Sequence, residues 1–70
     1  MVEKRKIIVT QDGSYLKREI QIDNMGKSIR LVLFEMKKDK FGKLLHREWI
    51  CSMFVPIEKK QEFITAFNEV

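Results

Sequence analysis

One cysteine, one histidine, one proline and three glycines in 70 residues exclude a good deal. Cys51 has no partner in the chain, so an internal disulfide is impossible, and Cys51 with His46 falls short of the four ligands of a structural zinc site. No metal or other cofactor is expected. No apolar run approaches the ~20 residues that span a bilayer, so no membrane partner is expected. The basic start Met1-Val2-Glu3-Lys4-Arg5-Lys6 is followed only by Ile7, Ile8 and Val9, too few for the apolar stretch of a signal peptide. With Cys51 read as an inert packed thiol, the chain is expected to be intracellular.

A single domain spanning 1–70 is what this length allows, and a chain of this size buries only about 60% of the surface that its unfolded form exposes. Small domains are usually supported by disulfides, a metal or association. With the first two excluded, oligomerisation is the remaining route. The charge is 14 Lys+Arg against 10 Asp+Glu. Residues 56–70 hold Lys59 and Lys60 against Glu58, Glu62 and Glu69, a net −1, which leaves +5 on residues 1–55. That basic part is also where strand patterns lie, as expected of a sheet that meets a polyanion, although a solvated lysine-rich surface has the same composition.

Lys6–Thr10 is a short β-branched run, followed by Gln11-Asp12-Gly13-Ser14. Asp-Gly is a hairpin signal, with glycine expected at positive φ. Tyr15–Asp23 alternates, with Leu16, Ile20 and Ile22 on one parity and Lys17, Glu19, Gln21 and Asp23 on the other. Asn24-Met25-Gly26-Lys27 makes a second turn. Ser28–Lys37 is apolar on both parities around Val32-Leu33-Phe34, the mark of a strand covered on both sides. After a third turn at Asp39-Lys40-Phe41-Gly42, Leu44–Val55 is long for one strand, and a bulge is expected near Cys51-Ser52. Pro56 then changes the period: its fixed φ suits a first helical turn, and Ile57, Phe63, Ile64, Phe67 and Val70 recur at helical spacing. The fold class is α+β, a four-stranded antiparallel sheet followed by one C-terminal helix (ββββα).

Turn-centred registers pair Asp23 with Ser28 and Lys38 with Lys43. They collect Tyr15, Lys17, Arg30, Phe34, Arg47 and Trp49 on one face, and Ile20, Ile22, Leu31, Leu33, Ile50 and Phe54 on the other. A one-residue slip would exchange the faces. The helix is expected over the Ile20/Leu31/Ile50 side. At about 10 Å across, it is narrower than four strands spaced at ~4.8 Å. Val32, Met36 and Met53, with the three aromatics, would then face something a single chain does not supply.

Enzymatic motifs fail on inspection. Gly26-Lys27-Ser28 evokes a phosphate-binding loop, but Gln21 stands where that loop needs its first glycine, and a strand pattern follows the lysine instead of a helix. Ser14 and Ser28 have no His–carboxylate pairing, and His46 beside Glu48 fits an exposed cross-strand patch. No catalytic residue, small-molecule substrate or enzymatic activity is expected.

With Tyr15-Leu16, Asn24 and Gly26-Lys27-Ser28-Ile29-Arg30-Leu31 at these positions, the chain resembles the PUR repeat, the purine-rich-element-binding module, whose fold is related to those of the whirly proteins and the single-strand-binding transcriptional coactivators. Tyr15-Leu16 opens the strand, Asn24 stands in the turn, and Gly26-Lys27-Ser28-Ile29-Arg30-Leu31 follows the family's glycine-to-strand frame. Glu35 closes that strand, and a helix with Phe63 and Phe67 ends the unit. The likeness covers about residues 5–70. The sequence departs from the pattern at Met25, alone between Asn24 and Gly26, at Ile22 in place of a turn lysine, and at Ser28 in place of an aromatic. Lys27 or Lys17 would supply the missing turn contacts. The resemblance implies a curved four-stranded sheet crossed by a helix, two repeats intertwined and, with one repeat per chain, a homodimer.

Two functions from different classes follow. In the first, the protein binds single-stranded DNA or RNA as a homodimer: Lys17, Lys27, Arg30 and Arg47 hold phosphates, Tyr15, Phe34 and Trp49 stack bases, and Asn24 bonds a base edge. In the second, it is a protein-interaction or assembly module whose aromatics pack a partner chain. Arginines at the centre of such an interface would then need buried partners. The ribbon Lys37-Lys38-Asp39-Lys40-Phe41-Gly42-Lys43 is either a phosphate-gripping arm or a solvated turn with edge-protecting lysines.

Overall fold

A computed structural model describes residues 2–70; Met1, at the head of the basic N-terminal stretch, lies outside them. Four strands, β1 (Lys4–Asp12), β2 (Leu16–Asn24), β3 (Ser28–Lys38) and β4 (Leu44–Pro56), form one open antiparallel meander in the order β1-β2-β3-β4. A short 3-10 turn, Ile57–Lys59, leads into helix α1, Lys60–Asn68. This is the expected ββββα arrangement.

The turns use their side chains. Asn24 Oδ1 accepts from the Gly26 amide at 2.8 Å, and Gly26 sits at φ 92°, where a side chain is disfavoured. Asp39 Oδ1 likewise accepts from the amides of Phe41 and Lys43, and Gly42 takes φ 81°. The first hairpin differs from expectation. Gly13 is not at positive φ, and the turn closes through a Gly13 N–H to Leu16 carbonyl bond of 2.8 Å, so Tyr15 lies in the turn and not in β2.

The β2–β3 register throughout, and the β3–β4 register from Phe34 to Met36, lie two residues from the turn-centred ones. Asp23 pairs with Arg30, and Phe34 with Trp49. Because a strand alternates with period two, a two-residue shift leaves every side chain on its expected face. A β-bulge in β4 does not. Leu33 pairs with Cys51 and Phe34 with Trp49, which leaves Ile50 without a partner of its own. Beyond this extra residue the parity of β4 reverses. Phe54, expected with the aliphatic residues, pairs with Arg30 on the opposite face, while Cys51 and Met53 move to the aliphatic side. Cys51 is exposed, not packed.

Partners in antiparallel strands share a face, so the sheet can be written as cross-strand rows. One face carries Arg5–Asp23–Arg30–Phe54, Ile7–Gln21–Val32–Ser52, Val9–Glu19–Phe34–Trp49 and Asp12–Lys17–Met36–Arg47. The other carries Lys4–Asn24–Ile29–Val55, Lys6–Ile22–Leu31–Met53 and Ile8–Ile20–Leu33–Cys51, with a polar row Gln11–Arg18–Glu35–Glu48 at one end. We call these the arginine face and the apolar face.

Helix α1 lies on the apolar face, as expected, but covers only one end of it. Phe63 and Ile64 stand across a cleft of about 390 Å³ from Ile22, Ile29, Leu31 and Val55, with Lys4, Lys6 and Lys60 also lining it. No residue of the helix is buried, and Phe67 is 72% exposed. Among the described residues the buried apolar side chains are only Val32, Met36 and Val55. Burial of one side chain contributes roughly 1.5–3 kcal/mol, so a core this small is weak support for a folded domain. The sheet is held largely by its ladder and by polar contacts on the arginine face.

Candidate nucleic-acid interface

The arginine face is organised around a carboxylate that is wholly shielded from solvent. Asp23, on β2, has 0% exposure and is flanked by Arg5 of β1 and Arg30 of β3 in the same cross-strand row. Arg5 Nε donates to Oδ1 at 2.7 Å and its Nη2 to Oδ2 at 3.5 Å; Arg30 donates to Oδ2 from Nε at 3.1 Å and from Nη2 at 2.6 Å. Gln21 Nε2 adds a further bond to Oδ2 at 3.0 Å. A buried carboxylate is costly unless its oxygens are hydrogen-bonded, and here both are. The Arg5 hydrogen bond, followed by those of Arg30 and Gln21, outweighs burial and holds the Asp23 carboxyl far below the usual carboxylate range. In return, the bond to Asp23 raises the Arg5 pKa.

Gln21 passes the network on. Its Oε1 accepts from Arg47 Nη2 at 3.2 Å, and the Arg47 guanidinium lies 3.7 Å from the centroid of the Phe34 ring. That distance is a close cation–π stack. Trp49, paired with Phe34 in the adjacent strand, is 60% exposed. A guanidinium held over one ring beside an open indole offers two neighbouring π surfaces of the kind on which bases stack.

The structure thus brings Lys17, Arg30, Phe34, Arg47 and Trp49 to one face. Lys17 sits in the row Asp12–Lys17–Met36–Arg47 and lies 3.7 Å from Glu19. Near it, Lys38 bonds to Asp12 and lowers its pKa, with a smaller contribution from Lys17. The other expected residues lie elsewhere. Tyr15 is exposed in the β1–β2 turn, where its carbonyl accepts from the Lys38 amide. Lys27 is exposed in the β2–β3 turn, with its carbonyl bonded to the Ile57 amide. Asn24 belongs to a row of the apolar face, and its side-chain oxygen is taken up by the Gly26 amide, so it does not join the aromatic cluster. Phe34 carries Arg47 on its ring, so the surface it presents is the guanidinium's.

Arg5, Gln21 and Asp23 were not among the expected site residues. Gln21 and Asp23 stand on the polar parity of β2, which alternation alone marks as solvated, and Arg5 precedes the β-branched run that marks β1. Only the three-strand register puts an acid between two arginines.

Among the described residues no cluster of His, Cys, Asp and Glu is placed to hold a metal, and no helix is long and apolar enough to cross a membrane. Compared with protein-family models, with curated proteins and with solved structures, the chain matches none.

Proposed function

We propose that the protein binds single-stranded DNA or RNA on the arginine face, without catalysing a reaction, as a homodimer joined through the apolar face. The observation that carries this reading is the Arg47–Phe34 stack beside the exposed indole of Trp49. Arg47 and Trp49 stack bases; Lys17 and Arg30 lie near enough on the same face to neutralise phosphates; Lys27 and Tyr15 extend the contact from their turns. The sequence resemblance to PUR repeats supports the same reading. Exposed Ile8, Met53, Phe63, Ile64 and Phe67 support the dimer, because a second chain would bury an apolar surface that one helix leaves open.

A second reading has its own observation. Ile7, Val9 and Phe54 are also exposed on the arginine face, so that face has apolar surface to offer a partner protein. Titration with labelled single-stranded oligonucleotide at low and high salt separates the two. Nucleic-acid binding predicts quenching of Trp49 emission and affinity that falls steeply with added salt. Unchanged emission with no binding at low salt refutes it and leaves the assembly reading.

A further inference from the structure

Two arginines share one carboxylate, and that imbalance asks for an anion. Arg5 and Arg30 approach Asp23 from strands on either side of β2, each through its Nε and Nη2 atoms. The Nη1 group of each has no protein partner among the described residues. Both side chains keep an open side, Arg5 at 48% and Arg30 at 30% exposure, while Asp23 beneath them is closed off. The row therefore carries a net positive charge at its surface, and both guanidiniums are fixed in place by groups that solvent does not reach.

We infer that Arg5 and Arg30 form a phosphate clamp for the nucleic-acid backbone, with Asp23 as the residue that positions both. Guanidinium presents several donors in a rigid plane, and Arg–phosphate pairs are characteristically two-pronged. Holding one edge of each guanidinium on Asp23 leaves the other edge pre-oriented, so less rotamer freedom is lost on binding than for a mobile lysine. The inference rests on the nucleic-acid reading of this face and gives it a direction. The Arg5–Asp23–Arg30 row lies four residues along β3 from the Phe34–Trp49 row, or about 13 Å at the rise of a strand. A single strand with a base on Trp49 then crosses the sheet obliquely, from β4 towards β1, with a neighbouring phosphate in the clamp.

The test is a set of anisotropy titrations with a labelled single-stranded oligonucleotide, over a range of salt, on the parent and on Arg5→Lys, Arg5→Gln, Asp23→Asn and Lys60→Gln. Circular dichroism checks that each variant is folded. Arg5→Gln is expected to reduce the slope of log K against log salt by about 0.7, the value for one lost single-strand phosphate contact. Arg5→Lys keeps the charge but not the planar fork, and is expected to weaken binding several-fold. Asp23→Asn makes the face more positive by one charge. Simple electrostatics predicts tighter binding, whereas positioning predicts weaker binding. Lys60→Gln, on the other side of the sheet, should leave the slope as in the parent. Should Asp23→Asn fail to fold, the two Arg5 variants still decide. Folded Arg5 variants with the parent's slope and affinity, or a tighter-binding Asp23→Asn, overturn the clamp while leaving the wider reading in place. A parent that binds no oligonucleotide overturns both.

Discussion

The arginine face and the apolar face are built from the same four strands, yet they reach low exposure by opposite means. On the arginine face no helix lies over the sheet among the described residues, and still Gln21, Asp23, Val32 and Met36 are buried. Its polar atoms are satisfied: among the described residues no buried side-chain nitrogen or oxygen lacks a partner. On the apolar face a helix is present, and still among the described residues Val55 alone is buried there, with Ile8, Met53 and the helix's own Phe63, Ile64 and Phe67 left open. The first face is complete in its polar contacts, although Ile7, Val9, Trp49 and Phe54 stay exposed on it, while the second keeps apolar surface that its helix does not cover. A covering element is therefore a poor guide to which side of a small sheet is finished; satisfaction of its polar groups is a better one.

The substitution with the largest expected effect attacks the finished face. Asp23→Ala leaves two guanidiniums without their anchor and Gln21 without an acceptor. It should lower unfolding free energy by about 3 kcal/mol, as loss of one partner from a buried ion pair does, measured by urea denaturation. In a domain this small that is a large share of the total. The pH dependence has a definite sign. Because folding depresses the Asp23 pKa, its contribution is fully present above the carboxyl's unfolded value and is lost as pH falls from there through the folded one. Acid unfolding of the parent should therefore be steep on the acidic side of about pH 4, and Asp23→Asn should flatten that limb.

Next in size is a break in the unfinished face. Phe67→Asp puts a charge where the dimer would close, and should weaken self-association by roughly thirtyfold or more, the loss at an interface hot spot. Since Phe67 is largely exposed in the single chain, the fold of the protomer itself should survive. Sedimentation equilibrium reads the outcome, and an unchanged association constant would place the contact elsewhere.

Trp49→Ala is expected to cost about 1–3 kcal/mol of oligonucleotide binding, the worth of one stacked base, with little change in melting temperature. Lys40→Gln, in the exposed β3–β4 turn, should have the smallest effect. Lys40 stands 5.2 Å from the Phe41 ring and belongs to no ion pair among the described residues, so stability should stay within about 0.5 kcal/mol. A large loss of binding in Lys40→Gln would make the ribbon, not the sheet face, the main contact.

Much of the comparison was legible in the sequence because strand parity is robust. The β2–β3 register, and the β3–β4 register from Phe34 to Met36, differ from the turn-centred ones by two residues, and parity survives such a shift, so Lys17, Arg30, Phe34, Arg47 and Trp49 share the face expected of them. An odd insertion erases that protection. The bulge at Ile50 sends Phe54 to the arginine face and Met53 to the apolar one, and nothing in Trp49-Ile50-Cys51-Ser52 marks which residue is extra. The Asp23 hub was hidden for another reason: a buried acid and a solvated one look alike in an alternating strand. Burial depends on Arg5 and Arg30 arriving from neighbouring strands, which is a property of the assembled sheet. Asn24 falls on the apolar face with its side-chain oxygen bonded to the Gly26 amide, since a turn asparagine bonds its own backbone as readily as a ligand, and residue type alone does not separate the two.

The division of labour between the two faces is tested most directly by the solution mass of Trp49→Ala, measured by light scattering at low salt with a single-stranded oligonucleotide present. The expected result is the mass of a protein dimer carrying less oligonucleotide than the parent dimer does at the same concentration. A Trp49→Ala protein of monomer mass would instead make the arginine face the place where the chains meet and would overturn a dimer joined through the apolar face.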